Sequence, residues 1–253
     1  MHRRRPSLRP ALAVGAIVFA GALTTGSAAE AARPATTVVA PVSPSSPASP
    51  ASPASPACTT LGVIGDSITV GSEHPGDLGP VLEYLGWTPV IDAMISRRIP
   101  ASAARPYSGV KALRSMRSSG YDACTWVIAL GTNDLGNTRE ADASAYYRGL
   151  VAEMLGEIGD GHRVVWVNVY TTKEPSLAAT FNAVLDEFAA AGRLDVVDYA
   201  GWIVHHLGYV RDGVHLDGAG YKARTALLAA YLGTPVSPEA VPRPLPGPAN
   251  RDR

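Results

Sequence analysis

Between residues 61 and 199 five short apolar runs recur, each separated from the next by a longer stretch, and that alternation constrains the fold more than any other feature. The runs are LGVIG (61–65), TPVID (88–92), TWVIAL (125–130), RVVWVNV (163–169) and DVVDY (195–199). They are short, mostly apolar and rich in β-branched residues, as strands buried on both faces are. Two of the intervening stretches carry helical stripes. Tyr147, Leu150, Val151, Met154, Leu155 and Ile158 form one, and Leu177, Phe181, Val184, Leu185 and Phe188 form the other; at that spacing they are core faces. Strand and helix in strict alternation predict an α/β fold, a three-layer, doubly wound, five-stranded parallel sheet with helices on both faces. Right-handed crossovers and the usual switch point give a flavodoxin-like strand order, 2-1-3-4-5, with a site at the C-terminal strand ends.

The chain has 253 residues, 46% hydrophobic and 17% charged, enough for one substantial core. Four segments are expected. Residues 1–31 read as an export signal: Arg3, Arg4, Arg5 and Arg9 precede the apolar run ALAVGAIVFAGALTTG, and GSAAEAA offers small residues for cleavage after Ala29 or Ala31. The alternative is a retained membrane anchor, because the run is about as long as the shortest spanning helices. Residues 32–57 form a Pro/Ala/Ser-rich linker. From Pro44 to Pro56 a proline recurs at every third position, the repeat of a polyproline II rod. At about 3.1 Å per residue the segment reaches roughly 75 Å, which suits a spacer between a domain and a cell wall. Residues 58–233 are the catalytic-sized domain, and the proline-rich tail, 234–253, is expected to be disordered.

Signal cleavage takes four of the 22 basic residues and leaves 18 against 22 acidic ones, a net charge of −4. Nucleic acid is therefore not an expected partner, since it calls for a basic face. The six histidines show no metal-site spacing, and no HExxH or CxxC occurs. Cys58 lies nine residues before Ser67, and Cys124 nine before Asn133. If the first and third strands are in-register neighbours the two thiols meet, and in an oxidising compartment they form a disulfide.

Three loops fall at the predicted C-terminal sheet edge: GDSITVG after the first strand, GTND after the third, and DGVH after the fifth. Ser67 alone reads as readily as a helix cap. Together the loops read as acyl-transfer machinery. Ser67 has its hydroxyl at a strand-to-helix turn and its backbone N–H at a helix start, where an oxyanion is favoured. His215 is the base, and Asp212, three residues earlier, fixes its tautomer and stabilises the imidazolium. Asn133 offers an amide N–H to the same oxyanion. Asp66 braces the turn, Asp134 orients a neighbouring loop through backbone N–H groups, and Asp217 caps the last helix. Trp202, His205, His206 and Tyr209 line a pocket or pack against the sheet.

With GDS at 65–67, GTND at 131–134 and DGVH at 212–215, residues 58–233 resemble the SGNH hydrolases, or GDSL-type esterases. The resemblance implies Ser67 as nucleophile, His215 as general base, Asp212 as its partner, and an oxyanion hole from Ser67, Asn133 and a further backbone N–H. The family places a glycine at that last position. Here the loop after the second strand reads IDAMISRRIP, with Ser96 in the glycine's place and Gly109 as a second candidate. The stretches around these motifs look most like the extracellular domains of peptidoglycan O-acetyltransferases and related bacterial cell-wall esterases. Such domains are often fused to a membrane acyltransferase, which these 253 residues do not include, so hydrolysis is the simpler expectation. The resemblance implies no cofactor and no metal. The expected substrate is a small-molecule or polysaccharide ester, with O-acyl transfer, or wall binding without catalysis, as the alternatives.

Overall fold

Each of the five apolar runs becomes a strand in the computed structural model, which describes residues 58–104 and 107–235. The expected signal (1–31), the linker (32–57) and the tail beyond residue 235 lie outside the described residues. The strands are β1 (Thr60–Gly65), β2 (Thr88–Ala93), β3 (Thr125–Ala129), β4 (Arg163–Val167) and β5 (Asp195–Val197). All pair in parallel, in the order β2-β1-β3-β4-β5. The sequence-derived order and fold class hold. Pro89, which has no N–H to donate, sits in β2 at the sheet edge, where a strand tolerates it.

The last two strands are shorter than their apolar runs, because two polar side chains stop them. Asn168 donates from Nδ2 to Asp198 Oδ1 at 2.9 Å and accepts from the Ala200 N–H at 2.7 Å. Asp198 in turn caps α6 (Tyr199–Ile203) through the Gly201 N–H. The chain turns there instead of continuing the ladder.

Helices cover both faces. On one side lie α3 (Gly109–Ser118), α4 (Ala143–Ile158) and α5 (Pro175–Ala190), packed on Ile64, Trp126, Ile128, Val164 and Trp166. Both stripes read from the sequence point into this core, with Phe188 only partly buried. On the other side lie α1 (Ser67–Glu73), α2 (Leu78–Tyr84), α6 and α7 (Gly218–Leu232), packed on Leu61, Val63, Val127, Val165 and Val197. The side chains of β1 thus alternate between two cores, so a slip of one residue would exchange its faces. Among the described residues no helix is long and apolar enough to cross a membrane.

Cys58 and Cys124 form a disulfide, their Cα atoms 6.3 Å apart. The register that suggested the pairing is off by two residues: Leu61 stands opposite Thr125, so Cys58 projects to the level of residue 122. The bridge forms diagonally, just before both strands begin. Thr60 fastens the same corner, its Oγ1 accepting from the Cys124 N–H at 3.1 Å.

Candidate active site

The sheet order puts the ends of β1 and β3 side by side, and the loop before α7 reaches them. Ser67 is the first residue of α1. Asp66 is the cap, with Oδ1 accepting from the Ile68 N–H at 2.9 Å. The capping role that Ser67 alone suggested therefore belongs to its neighbour, and the serine hydroxyl is left for chemistry. The turn is tight enough to require glycine, because a Cβ on Gly65 would lie 2.1 Å from Thr69 Oγ1.

His215 arrives on a loop closed by the Val210 and Leu216 bridge. Its Nε2 is 2.9 Å from Ser67 Oγ, and its Nδ1 is 2.8 Å from Asp212 Oδ2. An ionised carboxylate only accepts, so Nδ1 carries the proton and Nε2 faces the serine hydroxyl as an acceptor. Asp212 Oδ1 meanwhile accepts from the backbone N–H groups of Val214, at 3.1 Å, and His215, at 2.8 Å. Gly213, at φ 86°, makes that turn in the left-handed region, and a Cβ there would strike Thr172 Oγ1. The imidazole's hydrogen bond, followed by the His215 N–H, holds the Asp212 carboxyl well below the usual carboxylate range.

Asn133 lies in the 3₁₀ turn Thr132–Asn137 after β3. Its Nδ2 is 3.2 Å from Asp66 Oδ2 and 3.1 Å from Arg97 O, so one amide joins the loops that follow β1, β2 and β3. Asp134 accepts from the Ile99 N–H with both oxygens, at 3.1 and 3.3 Å, which is the loop-orienting role expected of it. Burial pushes its carboxyl up to about 7, against the opposing pull of the Ile99 N–H and Arg98.

Ser96 has φ 60°, a left-handed backbone that serine rarely adopts. The loop keeps a glycine-like conformation without the glycine. Among the described residues the Ser96 and Ser67 N–H groups make no hydrogen bond. Gly109, the second candidate, is buried in α3 and donates its N–H to Arg98 O at 2.8 Å. Ser96 and Asn133 both line an open cleft of about 550 Å³ whose walls include Ile95, Arg98 and Tyr107. Ile95 and Tyr107 are 67% and 58% exposed, so the cleft has apolar side chains at its rim.

The aromatic group before the catalytic loop packs on itself. Trp202 and His206 stack with centroids 4.4 Å apart, and Tyr209 lies parallel to both. None of them lines the cleft beside Ser96.

Two buried arginines stand outside the three sequence motifs. Arg97, 3% exposed, pairs with Asp92 and donates from Nε to Tyr107 O at 3.1 Å, fixing the carbonyl that meets Asn133. Arg224, 4% exposed, lies beneath the serine turn. The doublet RR in an apolar loop hinted at the first; nothing local in α7 marks the second.

A family model described as GDSL-like Lipase/Acylhydrolase matches residues 63–223. The chain belongs to that family. Among solved structures, the catalytic C-terminal domain of peptidoglycan O-acetyltransferase A from Streptococcus pneumoniae superposes with a TM-score of 0.56 at 19% identity, covering 70% of this chain and 94% of that one. A lipolytic protein of the G-D-S-L family from Veillonella parvula gives 0.53 at 15% identity, with coverage of 68% and 97%. An acetylxylan esterase from Geobacillus stearothermophilus gives 0.51 at 16%, with coverage of 70% and 94%. At these identities the structural likeness is one of fold. No curated protein matches the sequence. As a GDSL-like acylhydrolase the chain is an SGNH hydrolase, and its chemistry is acyl-ester hydrolysis. An arrangement of this kind can take a proton from a serine hydroxyl, hold the imidazolium beside a carboxylate, and present backbone N–H groups to a developing oxyanion.

Proposed function

We propose that this GDSL-like hydrolase is an exported serine esterase that removes a short acyl group, chiefly O-acetyl, from a cell-wall glycan. The observation that carries the reading is the unbroken chain from Ser67 Oγ to His215 Nε2, at 2.9 Å, and from His215 Nδ1 to Asp212 Oδ2, at 2.8 Å. Ser67 Oγ attacks the ester carbonyl while His215 Nε2 takes its proton. Asp212 holds the resulting imidazolium. The Ser67 and Ser96 N–H groups receive the carbonyl oxygen as it becomes negative, and the Asn133 amide joins them by turning one N–H from Arg97 O to that oxygen while the other stays on Asp66 Oδ2. His215 then returns the proton to the leaving alcohol, the acyl-enzyme forms, and a water activated by the same histidine releases the acid and restores Ser67.

The cleft volume of about 550 Å³ falls within the roughly 300–1,000 Å³ usual for small-molecule sites. That gives room for a sugar carrying the ester, with Tyr107 available to lie against a ring face. Export is supported by the basic and apolar segments at the N-terminus, and wall proximity by the proline repeat between residues 44 and 56. Labelling with a serine-directed phosphonate followed by peptide mapping tests the mechanism. The proposal expects one adduct, on Ser67, and none in Ser67→Ala. O-acetylated wall polymer beside a p-nitrophenyl ester series tests the substrate, and an added glycan acceptor separates transfer from hydrolysis.

A further inference from the structure

Arg224 has no role in the proton transfers above, yet it occupies a place where burial of a charge is costly. It lies on α7, whose N-terminus follows directly on the loop bearing Asp212 and His215. The residue is 4% exposed, and its guanidinium has no carboxylate within salt-bridge distance among the described residues. Nη1 donates to Ser72 Oγ on α1 at 2.8 Å, and the guanidinium carbon sits 5.2 Å from the centroid of the Tyr199 ring. Among the described residues Nε has no hydrogen-bond partner, and neither does the buried Tyr199 hydroxyl. Arg224, Tyr199 and Asp66 line one small cavity under the serine turn, of about 10 Å³, room for a single water.

Across that cavity stands a buried carboxyl group. Asp66, 2% exposed, spends Oδ1 on the Ile68 N–H that starts α1 and Oδ2 on the Asn133 amide. We propose that Arg224 is a positioning residue: it supplies the counter-charge to Asp66 across a one-water cavity and, through Asp66, holds the Asn133 amide and the start of α1 in place beside Ser67. The same side chain ties α1, which carries the nucleophile, to α7, which follows directly on the loop that carries the base, so one cation sets the relation between them. Thr225 adds a second tie, from its Oγ1 to Ser72 O.

The groups that face Asp66 are the Ile68 N–H on α1, Asn133 and Asp134 after β3, Tyr199 on α6, Arg224 and Tyr221 on α7, and His215 on the catalytic loop. Burial pushes the Asp66 carboxyl up to about 6, and the Ile68 N–H, Arg224 and His215 oppose that rise. Taking away the arginine's charge lets it climb further, so the ionised form that binds the Asn133 amide appears only at higher pH.

The inference rests on Ser67 acting as the nucleophile, and its test is separable from that reading. Turnover of p-nitrophenyl acetate by the unaltered enzyme, lost in Ser67→Ala, tests the nucleophile. The shape of the kcat/KM profile between pH 5 and 9 tests Arg224. In Arg224→Met the acid limb moves upward by about one pH unit, as loss of a neighbouring opposite charge requires. Arg224→Lys keeps the original midpoint. A cation acting directly on His215 would give the same first result, so the decisive comparison is the double-mutant cycle with Asp66→Asn. In the Asp66→Asn background Arg224→Met moves the limb no further; an undiminished shift there, or an unchanged profile in folded Arg224→Met, overturns the proposal. If Arg224→Met does not fold, Asp66→Asn alone decides. It lowers kcat about ten-fold with KM little changed, as loss of an orienting group for a transition-state donor does, and an unaltered kcat sinks the inference.

Discussion

Asp212 serves His215 with both of its oxygens. Oδ2 accepts from the ring Nδ1 and Oδ1 from the backbone N–H of the same residue, each at 2.8 Å. The carboxylate therefore sets the tautomer of the imidazole and the bend of the loop that presents it. Three residues of spacing, with Gly213 in the left-handed region between them, make both contacts from one turn.

Asp212→Asn separates the two functions. The amide oxygen can still receive the backbone N–H groups, so the loop keeps its bend, but the ring loses its charged partner. kcat is expected to fall by about 10²–10⁴-fold with the melting temperature close to that of the unaltered protein. A variant retaining more than a tenth of the activity would falsify the assignment of Asp212 as the partner of the base.

Stability should fall from weakly acid to weakly basic pH. Burial raises the Asp66 carboxyl to about 6 and that of Asp134 to about 7, whereas unfolded aspartates lie near about 3.9. Between those values the folded state holds more protons than the unfolded one, so stability declines as pH rises from about 4 to about 7. Asp212 works in the opposite sense. Its depressed value adds stability above about pH 4 that is lost as the pH drops, but its exposure keeps the contribution small. Thermal melts should give a lower Tm at pH 8 than at pH 5, with the gap narrowed in Asp134→Asn. A Tm that is flat or rising over that range counts against the buried carboxyls as placed.

Ser96 is held at φ 60°, where an L-residue is strained and glycine is not. Ser96→Gly should raise stability by about 1 kcal/mol and keep turnover, because the N–H is unchanged. Ser96→Val, with a branched Cβ in that region, should lose both. Comparable Tm and activity in all three proteins would mean that the loop does not depend on this backbone conformation.

The strands and the Ser67, Asn133 and His215 loops were legible because each is announced locally. Buried parallel strands are runs of β-branched residues, and the three motifs sit where such runs end. Contacts between distant parts of the chain left no such trace. Cys58 and Cys124 were paired by an assumed register, and the pairing formed although β1 and β3 are set two residues away from it. Ser67 and Asp66 both carry side chains able to cap α1, and only the turn geometry gives the cap to Asp66. Arg224 meets Ser72, 152 residues away, from a helix whose neighbouring residues say nothing about it.

The disulfide closes a loop spanning 66 residues, for which chain entropy gives an upper estimate of about 4 kcal/mol. Replacing both cysteines with alanine should lower the denaturant midpoint accordingly while leaving kcat largely intact, since the bridge lies at the opposite end of β1 from Ser67. Unchanged stability would show that the bridge adds nothing to the fold.

The central claim is that Ser67 makes and breaks the acyl bond. Its most direct measurement is the hydrolysis of p-nitrophenyl acetate by Ser67→Ala, with circular dichroism to establish that the sheet and helices are intact. Turnover at the level of buffer alone, from a folded protein, is the predicted result; turnover within ten-fold of the unaltered enzyme would contradict it.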